Sequence, residues 1–305
     1  MPDRRSETRS RSACAVAALA QLACILEASA PKPGNVSPGR PFEDLRYEDF
    51  VASAIAIGRA FEDAGTQPLG RTVHAAITST LEWAPSNTNL GIVLLLAPLA
   101  RAVKGGRDSF FKDRKMSPDP ITFLRSRVCE VLNATTVDDA REVYQAIRLA
   151  RPGGLGKTEA QDVADEPTMT LLEVMRLAAD RDSIASEYAT GFELTFTISA
   201  PALERARRDA LPWDDAIVET FLTVLARKAD THIARRTGAD AAEQVSRRAQ
   251  AVLDEGGVRS VAGRLAIDDM DRSMRDARNS LNPGTTADLT TAAIFVELLA
   301  RGYRT

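Results

Sequence analysis

The sequence predicts an all-α protein built as a single large multi-helix domain, and three observations carry that expectation. Apolar residues recur three and four positions apart along most of the chain, the spacing that gathers them on one helix face. Alternating apolar and polar runs joined by hairpin turns are nearly absent. Alanine and leucine dominate the apolar residues while aromatic residues make up only 5% of the chain, a composition suited to closely packed helices.

In chain order, residues 1–12 carry Arg4, Arg5, Arg9 and Arg11 and read as a flexible basic tail. The apolar run from Ala13 to Leu26 reads as the first core helix. With Ala28-Ser29-Ala30 it imitates a secretion signal, but Gln21 and Glu27 interrupt it and its many alanines leave it only mildly apolar. Tyr47 to Phe61 carries Phe50, Val51, Ala54, Ile57, Gly58 and Phe61 on one side, with Gly65 as a stop signal. Ile92 to Leu99 is apolar all round, which predicts a buried helix that bends or ends at Pro98. Val137 to Ala150, Thr170 to Ala178, Ala216 to Arg236, Ala239 to Leu253 and Leu289 to Arg301 complete the helices. No repeat period or long linker divides the chain. Residues 13–305 therefore read as one catalytic-type domain, with 104–120 as its exposed excursion.

Lys and Arg number 39 against 42 Asp and Glu, a net charge of −3, so no polyanion-binding surface is expected and nucleic acid is excluded as a partner. Cys14, Cys24 and Cys129 form neither a close-spaced metal pair nor an even disulfide framework, which fits a reducing cytoplasm. No segment reaches the roughly 18 apolar residues of a membrane span. The oligomeric state is left open, and a homodimer is compatible with the sequence.

Five short segments place small or rigid residues and a polar side chain at a helix start. They are Pro31-Lys32-Pro33-Gly34 leading to Asp44, Ser86 to Gly91, Arg151 to Lys157, Asp230 to Gly238, and Asn282 to Leu289. A helix N-terminus offers unpaired N–H groups and partial positive charge, so it suits an anion. Glycine admits the ligand to the backbone, a neighbouring Lys or Arg adds charge, and an aspartate can hold magnesium against phosphates. Each segment also has an ordinary reading: Ser86 or Thr88 can simply cap a helix, and Thr285 with Asp288 resembles a capping box.

Two patterns fail on inspection. Gly156-Lys157-Thr158 ends like a phosphate-binding P-loop, but Arg151 stands where that loop needs glycine and no strand precedes it. Asp268, Asp269 and Asp271 lack the spacing of a metal-binding acidic helix and read as a solvated charged face. Of the only two histidines, His74 reads as a buried or edge residue, and His232, beside Asp230, Arg235 and Arg236, is the more interesting, although on a helix these residues would not all face one way.

Taken together and in order, Pro31-Lys32-Pro33-Gly34, Asp44, Asn87-Thr88 with Gly91, Asp230 with Arg236 and Gly238, and Pro283-Gly284 with Ala287-Asp288-Leu289 resemble the motifs of the triphosphoribosyl-dephospho-CoA synthase family. The resemblance runs from about Leu22 to Leu299. It implies an all-helical transferase in which a ribose hydroxyl of 3′-dephospho-CoA attacks C1′ of the ribose of ATP, releasing adenine and keeping the triphosphate. It also implies Mg2+ as cofactor, with Asp44, Asp230 and Asp288 as catalytic and metal-holding residues. Lys32, Gly34, Asn87, Thr88, Asn89, Arg236 and Gly284 would bind substrate and phosphate. The sequence departs from the family at Phe42, where a histidine is expected, and at Asn89-Leu90, where the family reads His-Lys. Those departures point to a divergent member with a changed acceptor, or to a non-catalytic nucleotide-binding protein on the same scaffold.

Overall fold

Helix starts follow the residues able to receive free backbone amides. The computed structural model describes residues 4–84, 86–103, 119–153, 156 and 160–302. Its first part comprises α1 (Arg4–Ser29), α2 (Tyr47–Ala56), α3 (Gly58–Glu62), α4 (Leu69–Trp83) and α5 (Leu90–Ala102). Next come α6 (Pro120–Asn133), α7 (Val137–Ala150), α8 (Leu171–Ala178) and α9 (Ser183–Thr190), then a π-helical turn, Thr195–Ser199, running into α10 (Ala200–Arg208). The chain continues through α11 (Trp213–Arg227), α12 (Thr231–Thr237), α13 (Ala239–Asp254), a 3-10 turn at Gly257–Arg259, α14 (Val261–Met274) and α15 (Gly284–Arg301). No strand occurs among the described residues, only an isolated bridge between Ser37 and Arg40. The expected all-α fold is therefore the one observed. The segment 104–118, expected as an excursion, lies outside the described residues, and α1 begins at Arg4, inside the stretch expected as a tail.

Caps account for several boundaries. Asp119 receives the amides of Ile121 and Thr122, and Thr136 and Thr170 head complete capping boxes with Asp139 and Glu173. The core centres on α15, whose Leu289, Ala292 to Val296, Leu298 and Leu299 are buried. It packs against α1, α5, α10 and α11. Beside it, α5 is buried along almost its whole length.

Three expectations are corrected. Of the bend or early end expected at Pro98, the early end does not occur: the helix runs on to Ala102. Proline supplies no N–H to the carbonyl four residues back, and that carbonyl, Leu94 O, instead accepts the buried Tyr188 hydroxyl at 2.7 Å. The helix expected over 47–61 breaks at Ile57 into α2 and α3. The helix expected over 216–236 breaks at Lys228, whose backbone is extended, before Asp230 starts α12.

The acidic stretch on α14 is corrected too. Asp268 does pair with Arg40 near the surface, but Asp271 is buried and fastens the proline-rich loop. It accepts the Gly34 amide at 2.8 Å, Arg275 Nε at 2.9 and 3.0 Å, and Arg40 Nη1 at 3.3 Å. Gly34 is required there: its φ is +73°, and a Cβ would sit 2.8 Å from Met274 Cε. Asp271→Asn turns one acceptor into a donor facing this cluster, and is expected to cost about 1–3 kcal/mol of stability, measured by urea unfolding.

Candidate active site

Because α5 and α15 lie side by side, their N-termini open on one cleft. Its lining comes from α1, the 32–50 segment, the start of α5, His232 of α12, and residues 282–288. The cleft has a volume of about 120 Å³, below the roughly 300–1,000 Å³ usual for small-ligand sites.

Neither helix carries a side-chain cap from its N-cap residue, Asn89 or Pro283. Of the polar residues ahead of α5, Asn89 and Thr88 are tied elsewhere, and Asn87 receives the first amide of the helix. Asn89 Nδ2 donates to Thr80 Oγ1 at 3.0 Å, Thr88 and Ser53 share a hydroxyl hydrogen bond at 2.5 Å, and Asn87 Oδ1 accepts the Leu90 amide at 3.1 Å. Asn89 Oδ1 and Asn35 Oδ1 are buried in the lining without a hydrogen-bond partner. Two helix ends with such oxygens beside them can take up an anionic ligand that also presents hydrogen-bond donors or a cation.

Two carboxylates face the same space. Glu27, 4% exposed, pairs with Lys32, 1% exposed, at 3.0 Å. Lys32 Nζ also donates to the carbonyls of Glu27 and Ala30, so the ammonium is held from within the protein. The Asp288 carboxylate lies against Gly91, where an added Cβ would overlap Oδ2. Burial pushes both carboxyls up; Lys32 pulls Glu27 back, whereas Glu27 and Asp230 push Asp288 further, well above the ordinary carboxylate value. His232 packs on Gly284, whose added Cβ would lie 2.5 Å from Nδ1. Burial, with Arg235 and Arg236 nearby, pushes it down to about 4, so its imidazole is neutral at pH 7.

Of the residues expected from sequence, Lys32, Asn87, Thr88, Asn89, Gly284 and Asp288 meet in this cleft. Asp44 is exposed on the loop before α2 and Arg236 is exposed with its guanidinium on Arg278 O, both away from the lining. Gly34 also lies outside it, its amide on Asp271. Asp230 is buried behind the cleft. Its Oδ1 accepts the amides of His232 and Ile233 at 2.8 and 3.0 Å, and its Oδ2 accepts Thr286 N and Oγ1, both at 2.7 Å. Glu27 was missed altogether. Its only signal was a charge ending an apolar helix, which in a buried setting demands a partner such as Lys32.

For Mg2+, the three aspartates expected together are not gathered, and no group of three His, Cys, Asp or Glu able to hold a metal occurs among the described residues. Mg2+ needs only one or two carboxylates when phosphates complete its shell. Asp288 and the unpartnered Asn89 oxygen line the cleft and are donors of the kind that requirement calls for.

A sequence profile of the ATP:dephospho-CoA triphosphoribosyl transferase family matches residues 13–305. The chain belongs to this family. Relatives named 2-(5″-triphosphoribosyl)-3′-dephosphocoenzyme-A synthase share parts of it. One assigned to that activity in Pseudomonas syringae pv. tomato is 32% identical over 107 residues, 35% of this chain and 36% of that protein. Another, from Escherichia fergusonii, is 32% identical over 116 residues, 38% of each chain. The chain thus matches little more than a third of the length of these relatives. A crystal structure from Archaeoglobus fulgidus, assigned to triphosphoribosyl-dephospho-CoA synthase, superposes with a TM-score of 0.61 at 25% identity, over 83% of this chain and 100% of that one. The family therefore extends over the whole helical unit that builds the cleft.

Proposed function

We propose that the protein catalyses Mg2+-dependent transfer of the triphosphoribosyl group of ATP to a ribose hydroxyl of 3′-dephospho-CoA or a chemically close acceptor, releasing adenine. The observation that carries this reading is the convergence of the N-termini of α5 and α15 on one cleft that also holds Glu27 and Asp288. A triphosphate is stabilised by the backbone amides and positive ends of α5 and α15. Departure of adenine from C1′ builds oxocarbenium character, which a fixed carboxylate stabilises. Glu27, held by Lys32, supplies that negative charge, so Lys32 acts on the reaction through Glu27 rather than on phosphate. His232, neutral at pH 7, can take the proton of the attacking hydroxyl. Asp288 and Asn89 would hold Mg2+, whose chemistry is to neutralise phosphate charge. Phe42 and Leu90 put apolar surface where the family motifs carry histidine and lysine, which supports an altered acceptor. No helix among the described residues is long and apolar enough to cross a membrane, and a cytoplasmic location follows from use of ATP.

The test is incubation with ATP, Mg2+ and dephospho-CoA, followed by mass spectrometry of the products. Stoichiometric adenine and triphosphoribosyl-dephospho-CoA are expected. Adenine formed only with a different hydroxyl acceptor establishes the changed acceptor, and no adenine with any acceptor overturns the reading.

A further inference from the structure

We propose that the ring of Phe42, backed by the Arg275 guanidinium, is the platform on which the cleft seats an adenine base. The inference rests on the nucleotide reading above and assigns that nucleotide's base to one wall. The lining combines two helix ends and their amides with the apolar side chains of Val36, Phe42, Leu45 and Phe50. An apolar aromatic surface and an anion-binding surface in one cleft match the two ends of a nucleotide.

Arg275 Cζ lies 5.5 Å from the Phe42 ring centroid, and Arg275 is not part of the lining, so the guanidinium covers the ring from the protein side. Its position is fixed by both Asp271 oxygens and by Asn35 O at 2.6 Å. The Phe42 amide donates to Leu45 O at 2.8 Å, so the ring is held before any ligand arrives. A preorganised aromatic face loses little freedom on stacking with a base. The same contact brings Asn35 to this end of the cleft. Asn35 is 6% exposed, its Nδ2 is spent on Asn282 Oδ1 at 2.7 Å, and its Oδ1 is left as an unpartnered acceptor. That acceptor suits the exocyclic amino group of adenine, whereas guanine would present a carbonyl to it.

ATP and dephospho-CoA both carry adenine, so their binding is measured separately by calorimetry in Mg2+ buffer, with inorganic tripolyphosphate as the base-free probe. Phe42→Ala is expected to weaken at least one adenine ligand by roughly 5- to 100-fold while tripolyphosphate affinity stays within about twofold. Whichever ligand weakens is the one whose base sits on Phe42. Phe42→Trp should restore the affinity, with its indole fluorescence quenched by adenosine above the signal of Trp83 and Trp213. Equal weakening of tripolyphosphate, unchanged affinity for both adenine ligands, or failure of the wild type to bind either of them overturns the platform. If the wild type binds ATP as expected but never releases adenine, the transfer reading fails and the base seat stands.

Discussion

Asp230→Ala is expected to lower the stability of the protein by about 3–5 kcal/mol, because it deletes a buried carboxylate that receives four donors. One oxygen closes the first turn of α12 and the other clamps the first turn of α15, so a single side chain joins the two helices that bring His232 and Gly284 together. The pair Thr231 and Thr285, linked at 3.2 Å, runs along the same seam and cannot replace it. The measurement is urea unfolding, with the midpoint falling and the slope unchanged. Asp230→Asn keeps one accepting oxygen but turns an NH2 toward a donor, so its loss should fall between alanine and wild type. A variant that unfolds with the wild-type midpoint yet releases no adenine would show instead that Asp230 takes part in the chemistry.

Gly91→Ala is expected to slow the proposed adenine release by about a hundredfold, with unfolding changed by no more than about 1 kcal/mol, the upper bound of the alanine–glycine difference within a helix, since Gly91 lies in the first turn of α5. The added methyl overlaps only the end of the Asp288 side chain, so the carboxylate swings aside while the backbone of α5 stays in place. Displacement rather than deletion makes the result specific. In the double variant with Asp288→Asn, the two losses should fail to add, because both act through one carboxylate. A single Gly91→Ala variant with the wild-type rate would remove Asp288 from the reaction.

Most of the helices were legible because burial of one face imposes a period of three to four residues, and Val137 to Ala150 matches α7 end to end. The breaks were not, because neighbours decide them. At Ile57 the turn lets Gly58 meet Gln21, with a Cβ on Gly58 reaching 2.5 Å from Nε2, and at Pro98 the continuation depends on a tyrosine ninety residues away in sequence. The helix-start segments that form the cleft were readable from their small residues and amides. Their individual roles were less so. Asp230 and Asp288 look alike in sequence, yet Asp230 sits at an N-cap and turns onto its own helix, while Asp288 sits beyond the first turn and faces α5. A lysine between prolines suggests a charge extended toward phosphate, and only the packed position of Glu27 shows where Lys32 is directed.

The attachment of Gly34 to Asp271 spans 237 positions, and that of Asn35 to Asn282 spans 247. Joining such distant segments closes very large loops, so this end of the molecule has no local precursor and is expected to assemble late. On the ribosome, α1 to α5 and the Lys32 loop emerge long before their partners on α14 and α15 have been synthesised. A nascent or C-terminally shortened chain would then carry half a cleft, with the start of α5 open to water and the lining residues 282–288 missing. Completion of the cleft therefore waits for α15 to dock.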